Sequence, residues 1–175
     1  MYVHTEKKLI FLANPRTGSQ AVAKALLDRG FGQQGTHHYG CKLPAADWTT
    51  FTTVRNHFDA SLSWFYSQRP KDPLTALNLE LALASNNWVT LKRMFMFREA
   101  DITMRYESLH NDLNLVMMHF DLPLLADFLV VNKTTARPDG EVGEIHTTET
   151  WNYIWDRFKY EISHYYGNDR SYWHA

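Results

Sequence analysis

The chain has 175 residues, a size typical of one globular domain with a buried core. Its hydrophobic share of 45%, charged share of 21% and formal net charge of −1 at pH 7 give no overall attraction to nucleic acid or to a membrane surface. A single cysteine, Cys41, excludes an intrachain disulfide and a cysteine-based metal cluster. No signal peptide and no apolar run of roughly 20 residues is recognisable, so we expect a cytoplasmic protein without a membrane span or a nucleic-acid partner.

Charge is unevenly distributed along the chain. Residues 1–70 contain eight lysines and arginines against four acidic residues, whereas residues 71–175 contain ten against fifteen. An anionic ligand would therefore be better received by the N-terminal part. Chance also produces swings of this size in short chains, so the asymmetry serves only as support.

The first predicted element is a buried strand over residues 8–14, an apolar run (KLIFLAN) containing Ile, Leu and Phe. A turn over residues 15–18 follows it. Ser19 is placed to cap a helix that extends to about Arg29, and Gly30 is a typical residue to end that helix. A strand, a glycine-containing turn and a helix form the opening unit of a parallel α/β fold.

The middle of the chain predicts two further strands with helices between them. The second strand covers residues 49–54 (TTFTTV), and Asp59 is placed to cap a helix that ends near Gln68. Apolar residues at intervals of three and four then predict an amphipathic helix. Its buried face would consist of Leu74, Leu77, Leu81, Ala84, Trp88, Leu91 and Phe95. Residues 102–105 (ITMR) predict the third strand.

The remainder of the chain is predicted to be mainly helical. The buried face of a helix after the third strand would consist of Leu113, Val116, Met117 and Phe120. That helix ends at residues 122–123, residues 132–147 predict an irregular loop, and a last aromatic-rich helix covers residues 148–166. Without a recognisable repeat or linker, residues 1–175 are predicted to form one α/β domain, a three-layer fold with a central parallel sheet flanked by helices.

The turn before the first helix carries the residues best suited to bind an anion. In residues 14–20 (NPRTGSQ), backbone N–H groups and the positive end of the helix dipole would point at one position. Gly18 permits close approach of the backbone, and Arg16 adds a forked positive charge. Thr17 and Ser19 add hydroxyl donors. The alternative is a capped helix with an incidental arginine.

Two segments together resemble the sulfotransferase family, whose members use PAPS (3′-phosphoadenosine 5′-phosphosulfate). They are FLANPRTGS and FTTVRNHFDASLSWFY, similar to the family's 5′-phosphosulfate loop (PKxGT or PRTGS) and its 3′-phosphate element (VRNPxDxxxSxY). The resemblance implies a P-loop-like fold and, as ligands of the 5′-phosphosulfate, residues Arg16, Thr17, Gly18, Ser19 and Gln20. It also implies that Arg55 and Ser63 hold the 3′-phosphate, and it implies no metal.

Weaker similarities follow in the expected order. Residues 104–109 (MRYESL) are similar to the family's strand ending in RYEDL, and residues 165–167 (YYG) are similar to its FGY-like end. His57 departs from the family pattern, which usually has proline there. This departure loosens the turn before the helix but leaves Arg55 and Ser63 in register.

The resemblance implies a proton-accepting residue shortly before the 3′-phosphate strand, where His37 and His38 stand. We favour His38, which fits a family pattern in which the histidine opens a small turn-and-helix segment, and His37 is the alternative. A histidine pKa of about 6.5 suits proton transfer near neutral pH. Two solvent-exposed loop histidines are the competing interpretation, and a His-His metal site is disfavoured because no neighbouring Cys, Asp or Glu completes a ligand set. Arg16 would act electrostatically, since arginine does not readily donate a proton.

Lys133 and Arg137 lie in a predicted loop whose counterpart in relatives closes over the cofactor or the acceptor. The resemblance implies that both could contact the nucleotide. Solvated loop charges are an equal alternative.

The sequence thus predicts a sulfotransferase that moves a sulfuryl group from PAPS to a hydroxyl or amine of a small-molecule or carbohydrate acceptor, with PAP as product. One alternative is a P-loop-like nucleotide kinase or phosphotransferase, but the pattern GxxxxGK[ST] is absent and no lysine stands directly before Ser19. Another is a catalytically silent relative that binds PAPS or another phosphate ligand. The chain is short for the family, so a homo-oligomer could complete the acceptor pocket.

Overall fold

A computed structural model describes residues 1–35, 47–68, 73–85, 100–126 and 145–167. Within these ranges the protein is α/β, with one five-stranded mixed sheet and five α-helices. None of the helices in these ranges is both long and apolar enough to cross a membrane.

The chain divides into two compact units between Val54 and Arg55. The first unit comprises Met1–Val54 with Phe97–Asn132, and the second comprises Arg55–Met96 with Lys133–Ala175. Each unit has its own hydrophobic core among the described residues. The expectation of a single domain stays a prediction.

The first unit contains the sheet. Its strands are β1 (Tyr2–His4), β2 (Leu9–Leu12), β3 (Gly32–Gln33), β4 (Thr49–Val54) and β5 (Ile102–Arg105). Their order across the sheet is β3-β1-β2-β4-β5. Strand β4 is parallel to both β2 and β5, whereas β1 is antiparallel to both β2 and β3.

The prediction of a parallel sheet is therefore right for the three predicted strands, β2, β4 and β5. It is wrong for β1, which was not predicted and runs in the opposite direction, whereas β3 runs in the direction of the three but pairs antiparallel with β1. The physical reason is the length of the connection between β1 and β2, which is only residues 5–8. A link this short can join antiparallel neighbours but cannot cross over to make a parallel pair. Lys8 completes the reversal with a positive φ of 50°.

Two helices of the first unit pack on the sheet through apolar faces. They are α1 (Ser19–Leu27) and, after a 3₁₀ turn at Tyr106–Ser108, α4 (Leu109–His119). Their core with the sheet includes Phe11, Val22, Leu26, Phe51, Met104, Leu113 and Met117. The buried face predicted for α4 is confirmed for Leu113, Val116 and Met117, whereas Phe120 is half-buried and lies just after the helix, which ends at His119 and not at residues 122–123.

The second unit is helical in its described part. It contains α2 (His57–Gln68), α3 (Ala76–Ser85) and α5 (Thr148–Tyr166), which pack pairwise against one another. Their shared core includes Phe58, Trp64, Phe65, Leu79, Leu83, Ile154, Phe158 and Ile162. The predicted bounds of β4, β5 and α5 agree with the structure.

The buried face predicted for the helix that follows residue 73 is wrong for Leu77, Leu81 and Ala84, which are exposed, whereas Leu74 packs against the core. Leu77 and Leu81 are 62% and 54% exposed, whereas Leu79 and Leu83 are 0% and 2% exposed. The segment carries leucines on both sides of α3, so apolar spacing alone could not distinguish the two faces. The rest of that predicted stripe, from Trp88 onward, lies outside the described residues.

Two predicted helix caps are also wrong. Helix α1 begins at Ser19, and its N-cap position is occupied by Gly18, without a side-chain cap. Helix α2 begins at His57, where Asn56 Oδ1 accepts a hydrogen bond of 2.9 Å from the Phe58 N–H in place of the expected cap at Asp59. Asn56 is a favoured capping residue, and its position sets the start of α2 three residues earlier than a cap at Asp59 would.

Packing of α4 yields a first testable prediction. Leu113→Ala should lower the free energy of unfolding by about 2–5 kcal/mol, because Leu113 is 0% exposed and its truncation leaves a cavity. Leu115 is the matched control on the same helix, since it is 59% exposed and its truncation should cost about 0.5 kcal/mol or less. Urea denaturation measures both; equal losses would contradict the packing of α4 described above.

Candidate functional site

Residues 13–18, here called the β2–α1 loop, join the carboxyl end of β2 to the amino end of α1. Arg16 and Gly18 both adopt the left-handed region, with φ of 63° and 74°. A positive φ is uncommon for a residue other than glycine, and such residues occur where surrounding contacts fix the backbone. The Gly18 carbonyl accepts the first helical hydrogen bonds, from the N–H groups of Ala21 (2.9 Å) and Val22 (3.2 Å).

Buried hydrogen bonds tie the β2–α1 loop to β4. The Asn14 amide nitrogen donates to Thr52 Oγ1 at 2.8 Å and to the Thr53 carbonyl at 2.9 Å. Thr52 Oγ1 in turn donates to the Leu12 carbonyl at 2.6 Å. Asn14, Thr52 and Thr53 are at most 1% exposed, so these bonds satisfy groups that would be costly to bury alone.

Thr17 closes the same network from inside the loop. Its hydroxyl donates to the Asn14 carbonyl at 2.9 Å and lies 2.6 Å from Thr53 Oγ1. A hydroxyl has one hydrogen, so Thr53 is the donor in the second contact. The Thr17 side chain is fully buried and engaged in holding the loop, which leaves its backbone as the part that could contribute to a ligand site.

Gly18 is also fixed by close packing. A Cβ atom at this position would lie 3.0 Å from Tyr106 and 3.0 Å from Leu109, closer than ordinary van der Waals contact. Glycine is therefore required both by its φ and by the space available. The contact places the end of β5 directly against the β2–α1 loop.

The other predicted residues of this loop differ in exposure. Arg16 is half-buried, Ser19 is 3% exposed as the first residue of α1, and Gln20 is exposed. Because the first N–H groups of an α-helix have no intrahelical acceptor, the start of α1 is suited to an anion. The loop thus combines the end of a parallel strand, a helix amino terminus and one arginine.

The second unit contains Arg55, another predicted cation of the site. Arg55 is 6% exposed and forms an ion pair with Asp59, in the first turn of α2. Ser63 is half-buried and lies four residues beyond Asp59, so these two residues share a face of α2. The Asp59 carboxylate, predicted to be a helix cap, thus pairs with Arg55 and lies on the face of α2 that carries Ser63.

His146 lies against the same first turn of α2. Its Nε2 is 3.2 Å from the Phe58 carbonyl oxygen, and its ring meets the Phe58 ring edge-on with centroids 5.3 Å apart. Burial lowers the pKa of His146 from 6.5 to about 4, although the hydrogen bond with the Phe58 carbonyl and the nearby Asp59 carboxylate oppose that shift. The imidazole is therefore neutral near pH 7.

Four predicted site residues, His37, His38, Lys133 and Arg137, lie outside the described residues. Their proposed roles stay predictions.

No protein-family model matches this chain, and no curated protein matches it at a significant level.

Sequence reasoning missed Asn14, Thr52 and Thr53 as supports of the loop. The available signal was the run of threonines in the predicted strand TTFTTV, directly before Arg55; the structure shows that Thr52 and Thr53 are fully buried although threonine is usually exposed. Buried hydroxyls beside a sharp turn need partners, and the turn supplies them. The Asp59 carboxylate had a weaker signal, its position four residues after Arg55.

Removing the Thr17 hydroxyl tests the network. Thr17→Val should destabilise the protein by about 1–3 kcal/mol, because the Asn14 carbonyl and the Thr53 hydroxyl each lose a buried partner. Thr17→Ser keeps the hydroxyl and should retain most of the stability. Both are measured by urea denaturation; a valine variant as stable as the wild type would show that the network contributes little.

The pKa of His146 predicts how stability changes with pH. Between pH 6.5 and about 4 the unfolded chain protonates this histidine and the folded chain does not, so the free energy of unfolding falls as pH falls. The contribution should reach about 3 kcal/mol below pH 4. The measurement is chemical denaturation from pH 7.5 to 4 for the wild type and His146→Asn. The difference between their stabilities should shrink as pH falls, and a constant difference would contradict the prediction.

Proposed function

We propose that this protein is a PAPS-dependent sulfotransferase. The observation that supports it most is the β2–α1 loop, which buried hydrogen bonds from Asn14 and Thr17 hold at the carboxyl end of a parallel strand. Ligands of open α/β sheets bind at this end of the strands, and helix amino termini there accept phosphate and sulfate groups. The sequence of the loop, PRTGS, is the form that the resemblance associates with the 5′-phosphosulfate.

Arg55 supplies the second support. A guanidinium has five donors, and Asp59 engages its Nε, which fixes the plane of the group. An arginine oriented in this way is suited to a phosphate dianion, as the resemblance implies for the 3′-phosphate. Ser63, on the same face of α2 as Asp59, could add a hydroxyl.

PAPS would supply an activated sulfuryl group, which passes to the acceptor oxygen or nitrogen while the bond from sulfur to the phosphate oxygen breaks. Arg16 and the amino end of α1 would stabilise negative charge on the departing phosphate. His38, or His37 as the alternative, would take the proton that the acceptor loses. Gly18 and Thr17 would keep the backbone of the loop in place.

A nucleotide kinase is less well supported by the loop. The residue directly before Ser19 is Gly18 and not the lysine of a nucleotide-binding P-loop, and the cation of this loop is Arg16. Arginine donates two hydrogen bonds to two oxygens of a single phosphate or sulfate group, whereas the P-loop lysine interacts with the β- and γ-phosphates as a point charge.

Isothermal calorimetry with PAP tests the cofactor. We expect PAP to bind, and the double variant Arg55→Gln/Asp59→Asn to bind it roughly 10- to 100-fold more weakly through loss of a charged hydrogen bond. The double variant avoids leaving an unpaired buried carboxylate, and Asp59→Asn alone is the matched control that keeps the cation. Binding of ATP–Mg²⁺ without binding of PAP would overturn the proposal.

Transfer of labelled sulfate from PAPS into acceptor pools distinguishes an enzyme from a binding relative. The His37→Ala/His38→Ala variant should lose most of the transfer and keep its affinity for PAP. If this variant transferred sulfate as fast as the wild type, neither histidine would be the general base. PAP binding without transfer to any pool would favour the catalytically silent relative.

A further inference from the structure

His146 stands just before α5 and contacts the first turn of α2, and both helices belong to the second unit. The next residue, Thr147, is the N-cap of α5. Its hydroxyl accepts a hydrogen bond of 3.3 Å from the Thr150 N–H, and its carbonyl accepts one of 3.0 Å from the Thr150 hydroxyl. Thr150 is 0% exposed, so the backbone next to His146 is fixed by a buried cap at the start of α5.

Phe58 is the residue of α2 that His146 contacts. The His146 Nε2–H donates to the Phe58 carbonyl at 3.2 Å, and the two rings meet edge-on. Trp151 of α5 stacks on the same phenyl ring, with centroids 5.4 Å apart. The Phe58 N–H donates to Asn56 Oδ1 at 2.9 Å. The backbone and the ring of Phe58 are therefore tied both to α5 and to the start of α2.

The second ring nitrogen of His146 shows which form of the imidazole makes this contact. A carbonyl oxygen only accepts, so Nε2 carries the hydrogen and Nδ1 of the neutral ring holds a lone pair. Nδ1 is buried and has no hydrogen-bond partner among the described residues. Protonation would place a second N–H at that position, where nothing described accepts it, and this is costly. His146 therefore serves as a neutral donor to Phe58 and not as a proton carrier.

We infer that His146 is a positioning residue for the ion pair of Arg55 with Asp59, and through that pair for the 3′-phosphate of the cofactor. This inference rests on the proposed function. Asp59 directly follows Phe58, so the contacts that hold Phe58 also set the backbone from which the Asp59 carboxylate reaches Arg55 Nε. A guanidinium binds two phosphate oxygens only when its plane is correctly oriented, and Asp59 provides that orientation.

The test compares PAP with AMP, which has the 5′-phosphate but lacks the 3′-phosphate. Calorimetry on the full chain gives the ratio of the two dissociation constants, and this ratio reports the contribution of the 3′-phosphate. The side chain of His146→Asn is too short to place a donor where Nε2 lies, and this variant should lower the preference for PAP about 10-fold. His146→Gln, whose amide nitrogen reaches that position, should restore part of the preference. Both variants are measured at a temperature at which circular dichroism shows them to be folded.

Ile162→Ala is the matched control for a general loss of stability. Ile162 is 3% exposed in the core that α5 shares with α2, but it lies about 20 Å along α5 from the first residue of that helix. Its truncation should destabilise the second unit and leave the preference for PAP over AMP unchanged. An equal fall of the preference in Ile162→Ala and His146→Asn would overturn the inference.

NMR of the unliganded protein provides a readout that does not depend on PAP. The Arg55 Nε–H donates to Asp59, so it should exchange slowly with water in the wild type and roughly 10-fold faster in His146→Asn. An unchanged exchange rate, or an unchanged preference for PAP over AMP in His146→Asn, would overturn the inference. Faster exchange in His146→Asn together with a wild type that does not bind PAP would instead overturn the proposed function and keep His146 as a positioning residue of the ion pair.

Discussion

The side-chain amide of Asn14 makes two hydrogen bonds across the sheet, and the geometry of the β2–α1 loop depends on them. They bind the last residue before the turn to β4, where Thr52 and Thr53 are buried. With that end fixed, the left-handed backbone at Arg16 and Gly18 is held by surrounding contacts. This backbone conformation determines where α1 begins and where Arg16 lies.

Charge is arranged differently in the two units. In the β2–α1 loop the full charge of Arg16 is joined by the partial positive charge of the backbone N–H groups at the start of α1. On α2 it comes from Arg55, whose charge is partly offset by Asp59. A buried arginine without a carboxylate would be costly, so Asp59 stabilises the folded chain and orients the guanidinium at the same time.

Part of the fold could be predicted from the sequence, because β-branched residues indicate the strand β4 and apolar residues at helical spacing indicate α5. Strand β1 was missed because three residues carry almost no pattern and a short turn decides their pairing. In the site, the positions of Arg16 and Arg55 followed from motif spacing. The role of Thr17 could not be predicted from the sequence. A hydroxyl beside a glycine can hydrogen-bond to a ligand or to a buried neighbour, and only tertiary packing decides which of the two it does.

The rigid β2–α1 loop has a kinetic consequence. Asn14 and Thr17 are held by hydrogen bonds to described residues of the same unit, so entropy of ordering this segment is lost on folding and not on association. An incoming anion would need no rearrangement of the loop. The association rate should then be governed by diffusion and by attraction to the nearby cations, and it should fall as ionic strength rises.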